Sequence, residues 1–203
     1  MTLINILTRT GTRKSHFKTL KDSISTQDYK HIRHIKSNDN PNCQFLQHED
    51  DVFEVKRNRK LGKGFYNTYL NLLGNQVTEG WVIILDDDSK LINPSFIQSL
   101  AEECSKSKKN EILIFRSQLG INKDLYPPET EFENKSIKRA RIDMSCFCMH
   151  NSVLHKYQFN GQLLGDFRFL SKLKKSNMFN FKFLNDLPVG IWANYEGAKS
   201  GKN

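Results

Sequence analysis

The chain has 203 residues, 37% of them hydrophobic, with 14 Phe, 6 Tyr and 2 Trp, which is enough for one well-buried domain and argues against disorder. Its net charge of +9 attracts polyanions without choosing among nucleic acid, an anionic membrane surface, a nucleotide diphosphate and an acidic glycan. No stretch approaches the ~18 apolar residues of a membrane span, and Met1 to Arg9 has no basic-then-apolar leader, so a cytoplasmic protein with no transmembrane segment is expected.

Leu3 to Leu7 reads as a short strand, followed by a polar loop, Thr8-Arg9-Thr10-Gly11-Thr12-Arg13, and a helix through about Ile24. The loop offers hydroxyls, backbone N–H groups and two guanidiniums near a helix start, a setting for an anion or a ribose and base; the plainer alternative is an ordinary capped turn. His31 to Lys36 is a second strand, with Asp39 just beyond it in a loop that ends at Pro41. Residues 45–55 suggest a short hairpin or a loop with a strand on either side. Basic residues crowd the next stretch, Lys56 to Lys63, which leads through Gly62-Lys63-Gly64 into a helix. A Gly-x-Gly opening a helix permits close backbone approach to a phosphate, or simply forms a solvated basic turn.

Trp81 to Leu85 is a buried strand that stops at three carboxylates, Asp86, Asp87 and Asp88. In open α/β sheets ligands bind at that edge, and three adjacent acids repel one another unless a cation or solvent intervenes. Hard oxygen ligands suit Mn²⁺ or Mg²⁺ completed by a substrate's phosphates. The alternative is a cap or solvated turn before the helix that starts near Pro94. Strand Glu111 to Phe115 follows, then aperiodic residues 119–139, expected as a long loop. Arg141 to Met149 is a strand, Asn151 to Tyr157 a short helix, Gly165 to about Lys175 a further helix, and Phe179 to Leu184 and Leu187 to Ala193 the last strands. Cys146 and Cys148, two apart, are expected on one face of a strand as reduced core. The alternation of strand and helix predicts an α/β fold with a mixed, mostly parallel central sheet flanked by helices.

These residues resemble the inverting GT-A glycosyltransferases of the family-2 type. The resemblance rests on Thr8-Arg9-Thr10 after the first strand, Asp39 after the second, Gly62 to Asn67 at a helix start, and the Asp-x-Asp of Asp86 to Asp88. It runs with good spacing over about residues 3–100 and more loosely over 111–193. The compact size is similar to stand-alone glycosyltransferase domains of large algal viruses. The chain lacks a Gln-x-x-Arg-Trp on its later helix, which argues against a polymerising synthase.

The resemblance implies a single domain: residues 1–100 bind a nucleotide sugar, residues 101–195 bind the acceptor, and 196–203 form a loose tail. The donor is a nucleotide-diphosphate sugar, UDP-linked by analogy, and the acceptor a glycan or glycoprotein hydroxyl. Thr8, Arg9, Thr10, Arg13, Asp39, Lys63, Asp86 and Asp87 are the expected nucleotide contacts. Asp88 is the expected ligand of Mn²⁺ or Mg²⁺, with Asp86 a second candidate. The family's acceptor-side acid matches Asp166, in Leu164-Gly165-Asp166-Phe167, with Asp143 a competing base. Two other classes compete: a metal-dependent phosphotransferase or nuclease, for which no further acid or His set is evident, and a basic nucleic-acid-binding module, for which no recognition motif is present.

Overall fold

The computed structural model describes residues 1–58, 60 and 62–196. Its centre is a seven-stranded sheet in the order β10-β6-β9-β4-β1-β2-β3. The strands are β1 (Ile4–Thr10), β2 (Ile32–Asn38), β3 (Val52–Glu54), β4 (Trp81–Ile84), β6 (Glu111–Ile114), β9 (Phe147–His150) and β10 (Asn180–Phe183). All neighbours are parallel except β9, which runs antiparallel to both β4 and β6. The mixed, mostly parallel α/β sheet expected from the strand–helix alternation is therefore present.

Both faces of the sheet are covered, which is why β1, β4 and β6 read as continuous apolar runs rather than as alternation. On one face Leu7, Ile84, Ile112 and Met149 pack with Leu70 and Leu73 of α2 (Tyr69–Asn75), Val153 of α5 (Asn151–Lys156) and Leu170 and Leu173 of α6 (Gly165–Lys175). On the other, Ile6, Ile83, Leu113 and Cys148 pack with Leu20 of α1 (Lys14–Ser25) and Ile97 and Leu100 of α3 (Phe96–Lys106). A second sheet, β5-β11-β7-β8, joins β5 (Lys90–Leu91), β7 (Ser117–Leu119), β8 (Asp124–Tyr126) and β11 (Ile191–Ala193).

Several local expectations are corrected. Strand β1 extends to Thr10, so Thr8, Arg9 and Thr10 lie in the strand rather than in the loop. Parallel pairing with β2 reaches Thr10↔Asn38 and overrides their polar character. Residues 45–55 hold a 3₁₀ turn, Gln44–Leu46, and then β3, which joins β2 in parallel; there is no hairpin. The aperiodic 119–139 region contains β8 and α4 (Glu129–Glu133), elements too short to leave a period in the sequence. Cys146 closes a 3₁₀ turn ahead of β9, so its side chain and that of Cys148 join opposite cores. All four cysteines are buried and unpaired. Of the tail expected at 196–203, residues 197–203 lie outside the described residues. Among the described residues no helix is long and apolar enough to cross a membrane.

Candidate active site

Strands β1, β2 and β4 deliver their C-terminal ends to one edge of the sheet, where open α/β folds bind ligands. Because β9 runs the other way, the residues just before it, Asp143 to Cys146, arrive at that same edge. An antiparallel strand thus brings an acid distant in sequence beside the Asp86 to Asp88 turn.

That turn is gripped by two arginines. The Arg9 guanidinium lies side-on to Asp86, with Nε donating to Oδ1 at 2.7 Å and Nη2 to Oδ2, and its Nη1 donates to Asn67 Oδ1 at 2.6 Å. Its Cζ also sits 4.9 Å from the centre of the Tyr66 ring. Arg13 spans the other two acids, donating to Asp88 Oδ2 at 2.6 Å and to Asp87 Oδ1. Burial works against both guanidinium charges, but Asp86 for Arg9, and Asp87 and Asp88 for Arg13, outweigh it and hold both arginines firmly protonated. For the acids, burial wins. It pushes Asp87 up to about 6 despite Arg13, and burial together with the Asp86 charge raises Asp88.

The remaining residues expected in the donor pocket differ in how free they are. Thr8 is fully buried, its hydroxyl paired with His34 Nε2 at 2.8 Å. Burial, reinforced by Lys36, holds that imidazole down to about 3, so it is neutral. The Thr10 hydroxyl faces Asp87, is buried, and has no hydrogen-bond partner of good geometry among the described residues. Asp39 accepts from Arg57 at 2.9 Å and from the Tyr69 hydroxyl at 3.3 Å. Gly11 lets the β1–α1 loop lie against Asp39, since a Cβ there would overlap the carboxylate.

Lys63 is exposed. The glycines around it pack closely on another loop. A Cβ on Gly62 would come within 2.6 Å of Gly161 O, and one on Gly64 would overlap the Gln162 backbone; Gly64 N donates to Gly161 O at 3.0 Å. Their small size lets the Gly62 to Asn67 segment pack on the loop that leads into α6.

That loop ends at Leu164, whose backbone is left-handed (φ 60, ψ 42), and Asp166 follows in the first turn of α6. The Phe167 N–H donates to Asp166 Oδ1 at 2.7 Å. Burial, then the negative charge of Asp143, pushes Asp166 up to about 7, with Arg9 pulling weakly the other way. Asp143 caps the 3₁₀ turn, accepting from Ser145 N at 2.9 Å and Ser145 Oγ at 2.7 Å. It too is raised, by burial first and then against its bonds to Ser145, with Asp86 and Asp88 adding repulsion. Among the described residues neither Asp143 nor Asp166 has a lysine or arginine at ion-pair distance. The structure brings Arg9, Thr10, Arg13, Asp86, Asp87, Asp88, Asp143 and Asp166 to one edge, with Asp39 beside Tyr69 and Lys63 in solvent.

Asn67 is the residue that sequence reasoning passed over as a mere element of a motif. It is 3% exposed, accepts from Arg9 and donates from Nδ2 to Gln162 O at 2.9 Å. Its signal was its position between two glycines and a helix; the partner 95 residues away was not readable.

Among the described residues no three His, Cys, Asp or Glu side chains stand close enough to hold a metal ion by themselves. The donors at the edge are all carboxylate oxygens, and the five acids there outnumber the two arginines. That chemistry fits Mg²⁺ or Mn²⁺ held by one or two carboxylates and completed by phosphate oxygens.

No protein-family model matches the sequence, and no curated protein matches it. Solved structures do match. TarS 1–349 from S. aureus in complex with UDP superposes with a TM-score of 0.71 at 15% identity, over 94% of this chain and 60% of that one. The mannosyltransferase PcManGT from Pyrobaculum calidifontis, in complex with GDP-Man and Mn²⁺, gives 0.65 at 13% identity, over 98% of this chain and 58% of that one. The chain has a GT-A-like glycosyltransferase fold. It spans about 60% of the length of those structures.

Proposed function

We propose that the chain transfers a sugar from a nucleotide-diphosphate sugar to an acceptor hydroxyl, with inversion at the anomeric carbon. The observation that carries this is the convergence of an arginine-held acid turn, Asp86 to Asp88, with a second acid, Asp166, poised near neutrality at the head of α6. The two solved structures of like fold that were determined with UDP and with GDP-Man and Mn²⁺ support the same reading by analogy.

In this reading residues 1–100 bind the donor and 101–195 the acceptor. Asp39, Thr10 and Asp86 receive the base and ribose, with Arg9 holding Asp86 in place. Thr8 acts one step back, through His34. Asp88, aided by Asp86 or Asp87, would hold Mn²⁺ or Mg²⁺, which when bound stabilises negative charge on the departing diphosphate. Arg13, bonded to Asp87 and Asp88, is a resident cation on that side. Asp166 accepts the acceptor's hydroxyl proton as the oxygen attacks the anomeric carbon; the sugar–phosphate bond breaks and its electron pair leaves with the diphosphate. Burial first, and then the Asp143 charge, keep the Asp166 pKa high, which favours the proton on Asp166 after transfer. UDP is the preferred nucleotide, and a glycan or glycoprotein the acceptor.

The test is calorimetric titration and thermal shift with UDP and GDP, each with and without Mn²⁺. Saturation at about 100 times the dissociation constant stabilises the fold by about 2.7 kcal/mol. Stabilisation by UDP that requires Mn²⁺ is the expected result. An unchanged melt and no binding heat with every nucleotide would sink the proposal.

A further inference from the structure

Asn67 sits where the two halves of the site touch. Its amide is used at both ends: Oδ1 accepts from Arg9 Nη1 at 2.6 Å, and Nδ2 donates to Gln162 O at 2.9 Å. The other two nitrogens of Arg9 each donate to Asp86, so the guanidinium and Asn67 form a strut from the acid turn to the loop before α6. On the far side, Gly165 is pressed against the same amide so closely that a Cβ would overlap it. The contact is dry, since Asn67 is 3% exposed, and it is flanked by the Gly62 and Gly64 contacts with Gly161 and Gln162. Between Gln162 and Asp166 lies Leu164, a bulky residue in the left-handed region, a conformation that costs about 1 kcal/mol and persists only where its surroundings enforce it. The stretch from Gln162 to Gly165, with Leu164 left-handed between them, is thus held at both ends by an amide that also holds Arg9.

We propose that Asn67 is a positioning residue that couples the donor side to the acceptor side: a nucleotide engaging Asp86 and Arg9 tightens, through Asn67, the segment that carries Asp166. A ligand at Asp86 acts on the guanidinium that donates to Asn67, and Asn67 passes the constraint to Gln162 and Gly165 with no intervening flexible side chain. The inference rests on the reading of the site as a nucleotide-sugar site with Asp166 as its base.

Two variants separate the ends of the strut. Asn67→Asp keeps an acceptor for Arg9 but cannot donate to Gln162 O when ionised. Gly165→Ala pushes on the same amide from the α6 side while changing neither the Asn67 nor the Arg9 side chain itself. Hydrogen exchange on residues 160–167 is compared with and without UDP plus Mn²⁺, and binding is followed by calorimetry. In the natural protein UDP plus Mn²⁺ slows exchange in that segment. In either variant binding persists while the slowing is lost, and with a donor sugar kcat falls roughly a hundredfold with donor KM little changed. A purely structural role would lower the melting temperature and leave the ligand-induced slowing in place. That result in a folded variant overturns the inference, as does a natural protein that binds UDP with no change in the segment. Should Asn67→Asp fail to fold, Gly165→Ala and the natural protein still decide it. Absence of any UDP binding to the natural protein is the separate result that removes the functional reading, and this inference with it.

Discussion

The two sides of the proposed site differ in whether their acids have a cation partner. Asp86, Asp87 and Asp88 are clasped by Arg9 and Arg13, and Asp39 by Arg57. Asp143 and Asp166 have no cation partner among the described residues and are raised by burial and by nearby acids. The paired acids are fixed in geometry by their arginines. Asp166, without a cation partner, is pushed up to about 7, the range that proton transfer at neutral pH requires, while Asp87, paired with Arg13, rises to about 6. In the proposed reaction, one edge of one sheet would separate binding from acid–base work by the placement of two arginines on the β1 side.

The sharpest way to break this comparison is Asp166→Asn, which leaves the arginine-held turn intact. Transfer falls by roughly a thousandfold while UDP binding in the presence of Mn²⁺ is retained; full transfer by the variant would remove Asp166 from its role. In the natural protein the rate rises with pH through about 7 as Asp166 loses its proton, and Asp143→Asn moves that rise to lower pH by taking away a neighbouring negative charge. A pH–rate profile in which Asp143→Asn leaves the midpoint in place counts against the coupling.

The next effect is on stability, with opposite signs on the two sides. Arg13→Leu leaves Asp87 and Asp88 without their counter-charge. Because Arg13 is 26% exposed, a loss of about 2 kcal/mol is expected, below the full value for a buried pair. Denaturant unfolding at neutral pH checks it. The smallest effect is a gain. An acid whose pKa is raised in the folded state loses stability as pH climbs from its unfolded value, about 4, towards its folded one, about 7. Asp166→Asn removes that loss, so its stability equals that of the natural protein at low pH and exceeds it above pH 7 by the order of 1 kcal/mol, read as a higher melting temperature. Lower stability of Asp166→Asn at pH 8 would mean that the ionised carboxylate is held by partners after all.

Much of the scaffold was legible because its signals are local. The apolar runs at Ile4 and Trp81, the helix opening at Gly165 and the acids after β4 each follow from period, burial and chain order. Their spacing placed Arg9, Asp39 and the Asp86 turn on one edge, since parallel strands present their C-terminal ends together. Short pieces were not legible. The two residues of β5 and the three of β8 exist because a neighbouring strand offers hydrogen bonds, and nothing in their own sequence demands extension.

What the sequence determined by itself is the inventory: an α/β chain, three consecutive carboxylates at a strand's end, two arginines near the first strand and an acid at a helix start. Only the tertiary structure decided which charges meet. The antiparallel course of β9 carries Asp143 to the edge where Asp86 and Asp88 lie, and Gly62, Gly64 and Gly165 let Asn67 reach Gln162. Electrostatic roles depend on distance and burial, and residues far apart along a chain acquire both only when it packs.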